Sequence, residues 1–292
     1  MVTSQSTYSK FIRHLSKLGV GRIPFAYSAY RRLRPYIKSD FTETVDGNKM
    51  FLDPEDSLQI STYGFYEEFE TELVKKIIQK NYIVLDIGAN IGYYTLLFAK
   101  LVGDNGKVFA FEPEPNNFAL LKKNTEINGY RNVALIQKAI SNRTGKTKLY
   151  VNERNAGGHT IYNSYNSCQM VDVDVTKLDD YLDTSITTVN FAKIDVEGSE
   201  FGVIEGMKNL LQKTKDFIIM SEFNPSFIKK YGKEPEDYVE ILLQHGFKFY
   251  HIDSREKTIK EIDYKVLLKK YTAENKGYTN LLCVKGKPQM TW

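Results

Sequence analysis

From residue 81 onward the chain alternates between short apolar runs bounded by turn residues and longer segments whose apolar positions recur every three to four residues. The runs "YIVLDIG", "KVFAFEP", "NVALIQKAI" and "VNFAKIDV" are rich in β-branched and aromatic side chains and predict buried strands. Between them, "YYTLLFAKLV" and "NNFALLKKNTEING" predict helices, the second stopping at Gly129. "TKLYV" and "MVDVDV" predict extra strands flanking a loop rich in glycine and asparagine. "EFGVIEGMKNLLQ", "DFIIMSEF", "PEDYVEILLQHG", "FKFYHID" and "TNLLCVKG" continue the rhythm toward the C-terminus. Strands alternating with helices imply an α/β fold, Rossmann-like, with a mostly parallel sheet and helices on both faces. In such sheets ligands bind beyond the carboxyl ends of the strands.

Upstream, "FTETVDGNKMFLDPEDS" predicts two short strands around Asp46-Gly47, a dipeptide that favours a tight hairpin turn. Phe69, Leu73, Ile77 and Ile78 then recur at helical spacing with charges on the other face, which predicts a helix over 67–79. The chain therefore divides into an N-terminal arm, 1–44, and one domain, 45–292. The domain comprises a hairpin and helix over 45–80, a core over 81–252 and C-terminal strands over 253–292.

Composition changes this picture at one place. The 292 residues carry a formal charge of +4, yet residues 1–39 hold eight lysines and arginines and no acid, so the charge divides into +8 there and −4 over the remainder. Such an arm, expected to be helical, is open to two readings, attraction to an anionic membrane surface or packing of Phe11, Leu15 and Leu33 on the main domain. No window reaches 18 uninterrupted apolar residues and no secretory leader is recognisable, so the expectation is a cytoplasmic protein, with peripheral contact at the inner membrane surface as the arm's contribution. Cys168 and Cys283 stand too far apart in sequence to suggest a zinc motif or a disulfide framework.

The first chemical signal is "LDIGANIGYYT", which puts Gly88 and Gly92 between a strand and a helix, where glycine permits a tight turn and close approach of backbone to a ligand. Glu112 ends the next strand, 24 residues after Gly88, where a carboxylate can accept from both hydroxyls of a ribose. Asn90 stands where a dinucleotide fingerprint has its second glycine, and no P-loop occurs, so a pyrophosphate is disfavoured. Asp86 adds like-charge repulsion against a phosphate but suits a cation. S-adenosylmethionine, an adenosine bearing an ammonium and a sulfonium, matches both acids.

Taken together, "DIGANIGYYT", "FEPEPNN", "KIDVEGSE" and "YGFYEEFE" resemble the successive motifs of the FkbM-type S-adenosylmethionine-dependent methyltransferases, over roughly residues 45–252. The resemblance implies a seven-stranded methyltransferase sheet and O-methylation of a hydroxyl on a sugar, glycolipid or small metabolite. By position it also implies that Asp86, Gly88, Asn90 and Gly92 surround the methionine portion, that Glu112 holds the ribose, and that Glu67 closes on the amino group. Ala139 to Asn142 would meet the adenine edge.

Methyl transfer from a sulfonium is an in-line displacement, so the protein must position the acceptor oxygen and assist loss of its proton. A period of two places Val189, Phe191, Lys193 and Asp195 on one face of a strand, with Asp195 emerging at its carboxyl edge beside the reactive end. Asp195 is the leading catalytic candidate. Glu222 and Asn224 reach the same edge from the next strand, and with Asp195 they resemble the Mg²⁺ ligands of metal-dependent O-methyltransferases, or else they hydrogen-bond a sugar. His159, in the loop "ERNAGGHTIYN", is either a general base or a loop residue without a role. Glu200 reads as a helix-start acid, and Glu197 has no assignment. The rival readings are a nicotinamide-dependent oxidoreductase, which Asn90 and Asp86 oppose, and a membrane-surface interaction module built on the arm. The absence of an N-P-P-Y-type segment argues against methylation of nucleic acid amino groups.

Overall fold

The computed structural model describes residues 42–44, 46–151, 159–161, 169–182, 186 and 188–288. The basic arm lies almost wholly outside the described residues, as does Cys168. A hairpin of β1 (Thr42–Glu43) and β2 (Lys49–Met50) leads into α1 (Ile60–Tyr63) and α2 (Glu68–Ile77). The core follows as β3 (Ile83–Ile87), α3 (Tyr93–Val102), β4 (Lys107–Phe111), α4 (Pro115–Ile127) and β5 (Val133–Ile136). Next come β6 (Ala139–Ile140), β7 (Gly145–Val151), β8 (Gln169–Thr176), α5 (Leu178–Tyr181) and β9 (Phe191–Ile194). The last third contains α6 (Glu200–Glu205), α7 (Lys208–Lys213), β10 (Phe217–Phe223), α8 (Pro225–Lys230) and α9 (Pro235–Gln244). It ends with β11 (Phe247–Asp253), β12 (Thr258–Glu261), α10 (Tyr264–Lys270) and β13 (Thr279–Lys285).

The main sheet runs β12-β11-β13-β10-β9-β3-β4-β5. Its β10-β9-β3-β4-β5 half is parallel, and β13 inserts antiparallel between β10 and β11. Seven strands thus form the expected Rossmann-like methyltransferase sheet. The eighth, β12, pairs antiparallel with β11 and covers what would otherwise be an open edge. Two expectations change in detail. "NVALIQKAI" is two strands, broken after Ile136, and the second half, β6, leaves the main sheet to pair with β8. β7 and β8 accordingly join β6 in a separate three-stranded sheet rather than extending the main one.

Alternation along the strands sorts the core into two layers. Leu85, Ile87, Ala192, Ile194 and Ile219 face one apolar cluster, while Val84, Phe191, Ile218 and Met220 face the other, against α2 and α3. On that second side Phe98 is fully buried, with Tyr94 stacked at 5.7 Å and Phe191 at 5.6 Å between ring centroids. Burying one such ring contributes about 1.5–3 kcal/mol. The same alternation assigns Asp86 and Lys193, two residues beyond Val84 and Phe191, to the α3 side, where they stand in register on neighbouring strands. A sheet apolar at its middle therefore delivers charge at its carboxyl end. No helix among the described residues is long and apolar enough to cross a membrane.

Candidate active site

A cleft enclosing about 1130 Å³ of space, part of it open to solvent, lies over the carboxyl ends of β3, β4 and β9. The glycine loop forms its floor. Gly88 has φ +84°, and a Cβ there would stand 1.8 Å from the backbone oxygen of Asp195. The glycine is thus required by the neighbouring loop, before any ligand is considered. The N–H groups of Gly88 and Ala89 both donate to the Phe111 carbonyl, at 3.0 and 2.9 Å, tying the loop to the end of β4. Asn90 takes a left-handed φ of +51° and donates its backbone N–H to Glu112 Oε2 at 2.8 Å. Gly92, at φ +98°, has Leu121 of α4 where a Cβ would go, 2.7 Å away, so it serves helix packing.

Asp86 is 1% exposed and lines the cleft. Its Oδ2 accepts from the Thr95 hydroxyl, while Oδ1 has no hydrogen-bond partner among the described residues. Burial pushes this carboxyl up to about 6, against the opposing pull of Lys193 and Thr95. An orphaned buried acceptor on a cleft wall calls for a donor from the ligand, and a cationic one most of all. The residues present therefore fit the ammonium end of S-adenosylmethionine. At the end of β4, Glu112 accepts the N–H of Asn90 with one oxygen and the N–H of Glu114 with the other, at 2.8 and 2.9 Å. Fixed on both sides, each oxygen keeps acceptor capacity for one of two adjacent hydroxyls. Burial raises Glu112 to about 8. Glu114, not Glu112, caps α4 by accepting from the Asn117 N–H at 2.6 Å. Ala139 lines the cleft beside Lys138 and Leu149, past the end of β5.

Beside Asp86, on the neighbouring strand, stands Lys193. Its ammonium donates to Asp195 Oδ2 at 2.7 Å and lies 4.8 Å above the ring of Tyr94. Burial opposes that charge, but Asp195, Glu67 and Asp86 outweigh it and hold the lysine well above its ordinary value. Asp195 is about one third exposed, and its Oδ1 has no partner among the described residues. The carboxylate therefore faces the cleft with one oxygen fixed and one available.

Other candidates fall elsewhere. Glu67 accepts from the Tyr94 hydroxyl at 2.9 Å and from the Asn280 amide at 3.4 Å, and it stands behind Tyr94 rather than among the cleft-lining residues. Burial raises it to about 7. His159 does line the cleft, but the carboxylate whose charge reaches it is Glu114, at the corner near Glu112, and burial lowers its basicity. Glu222 lies outside the lining, and burial together with Glu200 and Asp195 holds it well above the usual carboxyl range.

The Mg²⁺ arrangement of Asp195, Glu222 and Asn224 does not hold. Asn224 spends its amide oxygen capping α8, accepting from the Phe227 N–H, and its Nδ2 donates to Glu222. Asp195 Oδ2 already carries an ammonium. Among the described residues no three His, Cys, Asp or Glu side chains converge to hold a metal ion. The donor set does not fit the ion, and no step is assigned to one.

Several cleft residues carried no assignment from sequence. Tyr94 follows the glycine turn directly, and an aromatic pair at a helix start beside such a turn is the available signal. Glu197 and Ser199 also line the cleft. Glu200 is wholly buried and accepts the N–H groups of Val196 and Gly198, at 3.2 and 3.1 Å, so it shapes the loop after β9 rather than merely opening a helix.

Comparison with known proteins agrees with this geometry. The model of the methyltransferase FkbM domain matches residues 86–249, more than half of the chain. The chain belongs to that family. Residues 86–249 are thus a methyltransferase domain of the FkbM type. The FkbM chain is 28% identical over 144 residues to Methyltransferase 1 of Beauveria bassiana (strain ARSEF 2860), covering 42% of this chain and 57% of that protein. It is 26% identical over 204 residues to methyltransferase sdnD of Sordaria araneosa, covering 59% and 78%. Hexuronic acid methyltransferase AglP of Haloferax volcanii is 26% identical over 178 residues, covering 61% and 68%. The aligned stretch thus spans less than two thirds of the first of these relatives.

The buried acids give the free protein a defined pH response. Folded Asp86 stands at about 6, Glu67 and Glu200 at about 7, and Glu112 and Glu197 at about 8. Unfolded, these groups titrate near 4. Between those values the folded state holds more protons, so this part of the stability is complete below about pH 4 and is lost as pH rises through the folded values. The melting temperature of the ligand-free protein is expected to fall from pH 5 to pH 9. Glu112→Gln, unable to ionise, should lose less over that range. A wild-type melting temperature that rises over the same range would contradict the assignment.

Proposed function

We propose that the chain transfers a methyl group from S-adenosylmethionine to a hydroxyl oxygen of a sugar, glycolipid or small polyol, with Asp195 receiving the hydroxyl proton. The observation that carries this reading is the fixed Asp195 carboxylate. One oxygen is held by Lys193 at 2.7 Å, and the other is available in the cleft that Asp86, with its orphaned oxygen, also lines. When bound, the cofactor supplies an electrophilic methyl on sulfur. Asp86 would accept from its ammonium and Glu112 from its ribose hydroxyls. Lys193 fixes Asp195 through Oδ2, and the remaining Oδ1 would accept the proton that the acceptor hydroxyl loses on methylation. AglP acts, by its name, on hexuronic acid, whose nucleophiles are all oxygens, and that supports oxygen as the atom methylated here.

Calorimetry with S-adenosylmethionine and, separately, with NAD tests the cofactor half. Saturable heat is expected from the first alone, and heat from NAD only would overturn the reading. Glycan and glycolipid extracts incubated with methyl-labelled cofactor test the acceptor half, with label expected in base-stable ethers of sugar hydroxyls.

A further inference from the structure

Glu197 and Ser199 sit on the cleft wall just past Asp195, and neither has a role in the steps above. Ser199 is 2% exposed, and its hydroxyl has no hydrogen-bond partner among the described residues. A buried hydroxyl is costly to leave unmade, so its place on a ligand cleft points to a ligand that completes it. Glu197 adopts a left-handed backbone, φ +52°, although it is not glycine. Such conformations persist where surrounding structure imposes them. Here the imposing contacts are the two N–H bonds that buried Glu200 accepts from Val196 and Gly198, on either side of Glu197.

We infer that Glu197 and Ser199 form the acceptor subsite, and that it selects a polyhydroxylated ring bearing no negative charge, such as a neutral hexose or an amino sugar. The inference rests on the methyl-transfer reading for the position of the reacting oxygen, and it adds which acceptors that oxygen can belong to. The two side chains would hold a second polar group of the ring while the methylated hydroxyl faces Asp195. The charge around the subsite supplies the selection. Burial and the neighbouring acids hold Glu197 and Glu222 above the ordinary carboxyl range, so the same surroundings penalise a further carboxylate. The nearby cation, Lys193, is already shared among Asp195, Glu67 and Asp86. Lys138, which also lines the cleft, follows β5, three strands away from β9. A carboxylate on the acceptor would therefore be desolvated among acids without a counter-charge of its own. Burial, with Asp195 and Glu200, raises Glu197 to about 8, so near neutral pH it can donate as well as accept, which suits hydroxyls.

The test uses the full chain loaded with S-adenosylhomocysteine at pH 7.5, its binding first measured by calorimetry. Saturation-transfer NMR then compares methyl glucoside, methyl glucosaminide and methyl glucuronide at equal concentration. The glucoside or the glucosaminide should give a signal at least about fivefold above the glucuronide, the scale of one hydrogen bond. Ser199→Ala, a small and conservative change, and Glu197→Ala should each weaken that signal by about the same factor while S-adenosylhomocysteine affinity stays unchanged. A glucuronide signal equal to or above the other two would overturn the subsite, as would no signal from any of the three on a protein that binds S-adenosylhomocysteine. Weakened S-adenosylhomocysteine binding in Ser199→Ala would reassign that hydroxyl to the cofactor and overturn it as well. Absence of S-adenosylhomocysteine binding by the wild type would instead sink the methyl-transfer reading and the subsite with it.

Discussion

Gly88→Val should abolish S-adenosylmethionine binding and lower the melting temperature. The left-handed backbone alone costs a side chain about 1–3 kcal/mol. The collision is the larger effect, because the new Cβ would stand 1.8 Å from the Asp195 carbonyl oxygen and 2.9 Å from its carbon, both main-chain atoms that no side-chain rotation can move aside. Relief requires the β3 and β9 ends to separate. That would break the Asp195 N–H bond to the Ile87 carbonyl, now 3.0 Å, and open the cleft floor between Asp86 and Asp195. Gly129→Ala is the matched control. Gly129 also has a positive φ, +70°, but nothing lies within 4 Å of its Cβ position, so it bears the backbone cost alone and should bind cofactor normally. Calorimetry and thermal denaturation on both variants check this. Normal binding by Gly88→Val would show that the two strand ends are not locked as described.

Asp195→Asn should lower the rate of methyl transfer by about 10²–10⁴-fold, the usual contribution of a general base, and leave cofactor affinity nearly unchanged. Asparagine keeps the shape and an oxygen for Lys193 but lacks the negative charge that accepts the proton. Lys193 retains Glu67 and Asp86 as counter-charges, so the local structure should survive the change. Single-turnover transfer to the acceptor found in the extract screen, alongside calorimetry, separates the two effects. Wild-type turnover would remove Asp195 from the proton's path. Loss of cofactor affinity in step with the rate would make it a binding residue instead.

Much of this site was legible before the fold was seen, because its parts obey local rules. The strand and helix periods, the glycines opening α3, and an acid ending the next strand are fixed by neighbouring residues, and they place Asp86 and Glu112 correctly at the sheet's edge. What was misread depended on distant partners. Asn224 offered a plausible metal oxygen, but the proline after it begins α8 and the amide serves as that helix's cap. The break in "NVALIQKAI" looks like continued strand, since only pairing with β8, more than 30 residues away, draws β6 out of the main sheet.

The sequence alone determined the α/β class, the glycine turn, and the carboxylates at the strand ends, because each follows from the conformational preferences and spacing of adjacent residues. Tertiary structure decided which charges meet. Asp86 and Lys193 are 107 positions apart and become neighbours because β3 and β9 pair in register, an arrangement also secured by Asn190 accepting the Ile83 N–H at 2.8 Å. That pairing puts one buried ammonium among the carboxylates of Glu67, Asp86 and Asp195 and makes glycine obligatory at position 88. Charge interactions and steric contacts act through space, so no reading of neighbours along the chain contains them.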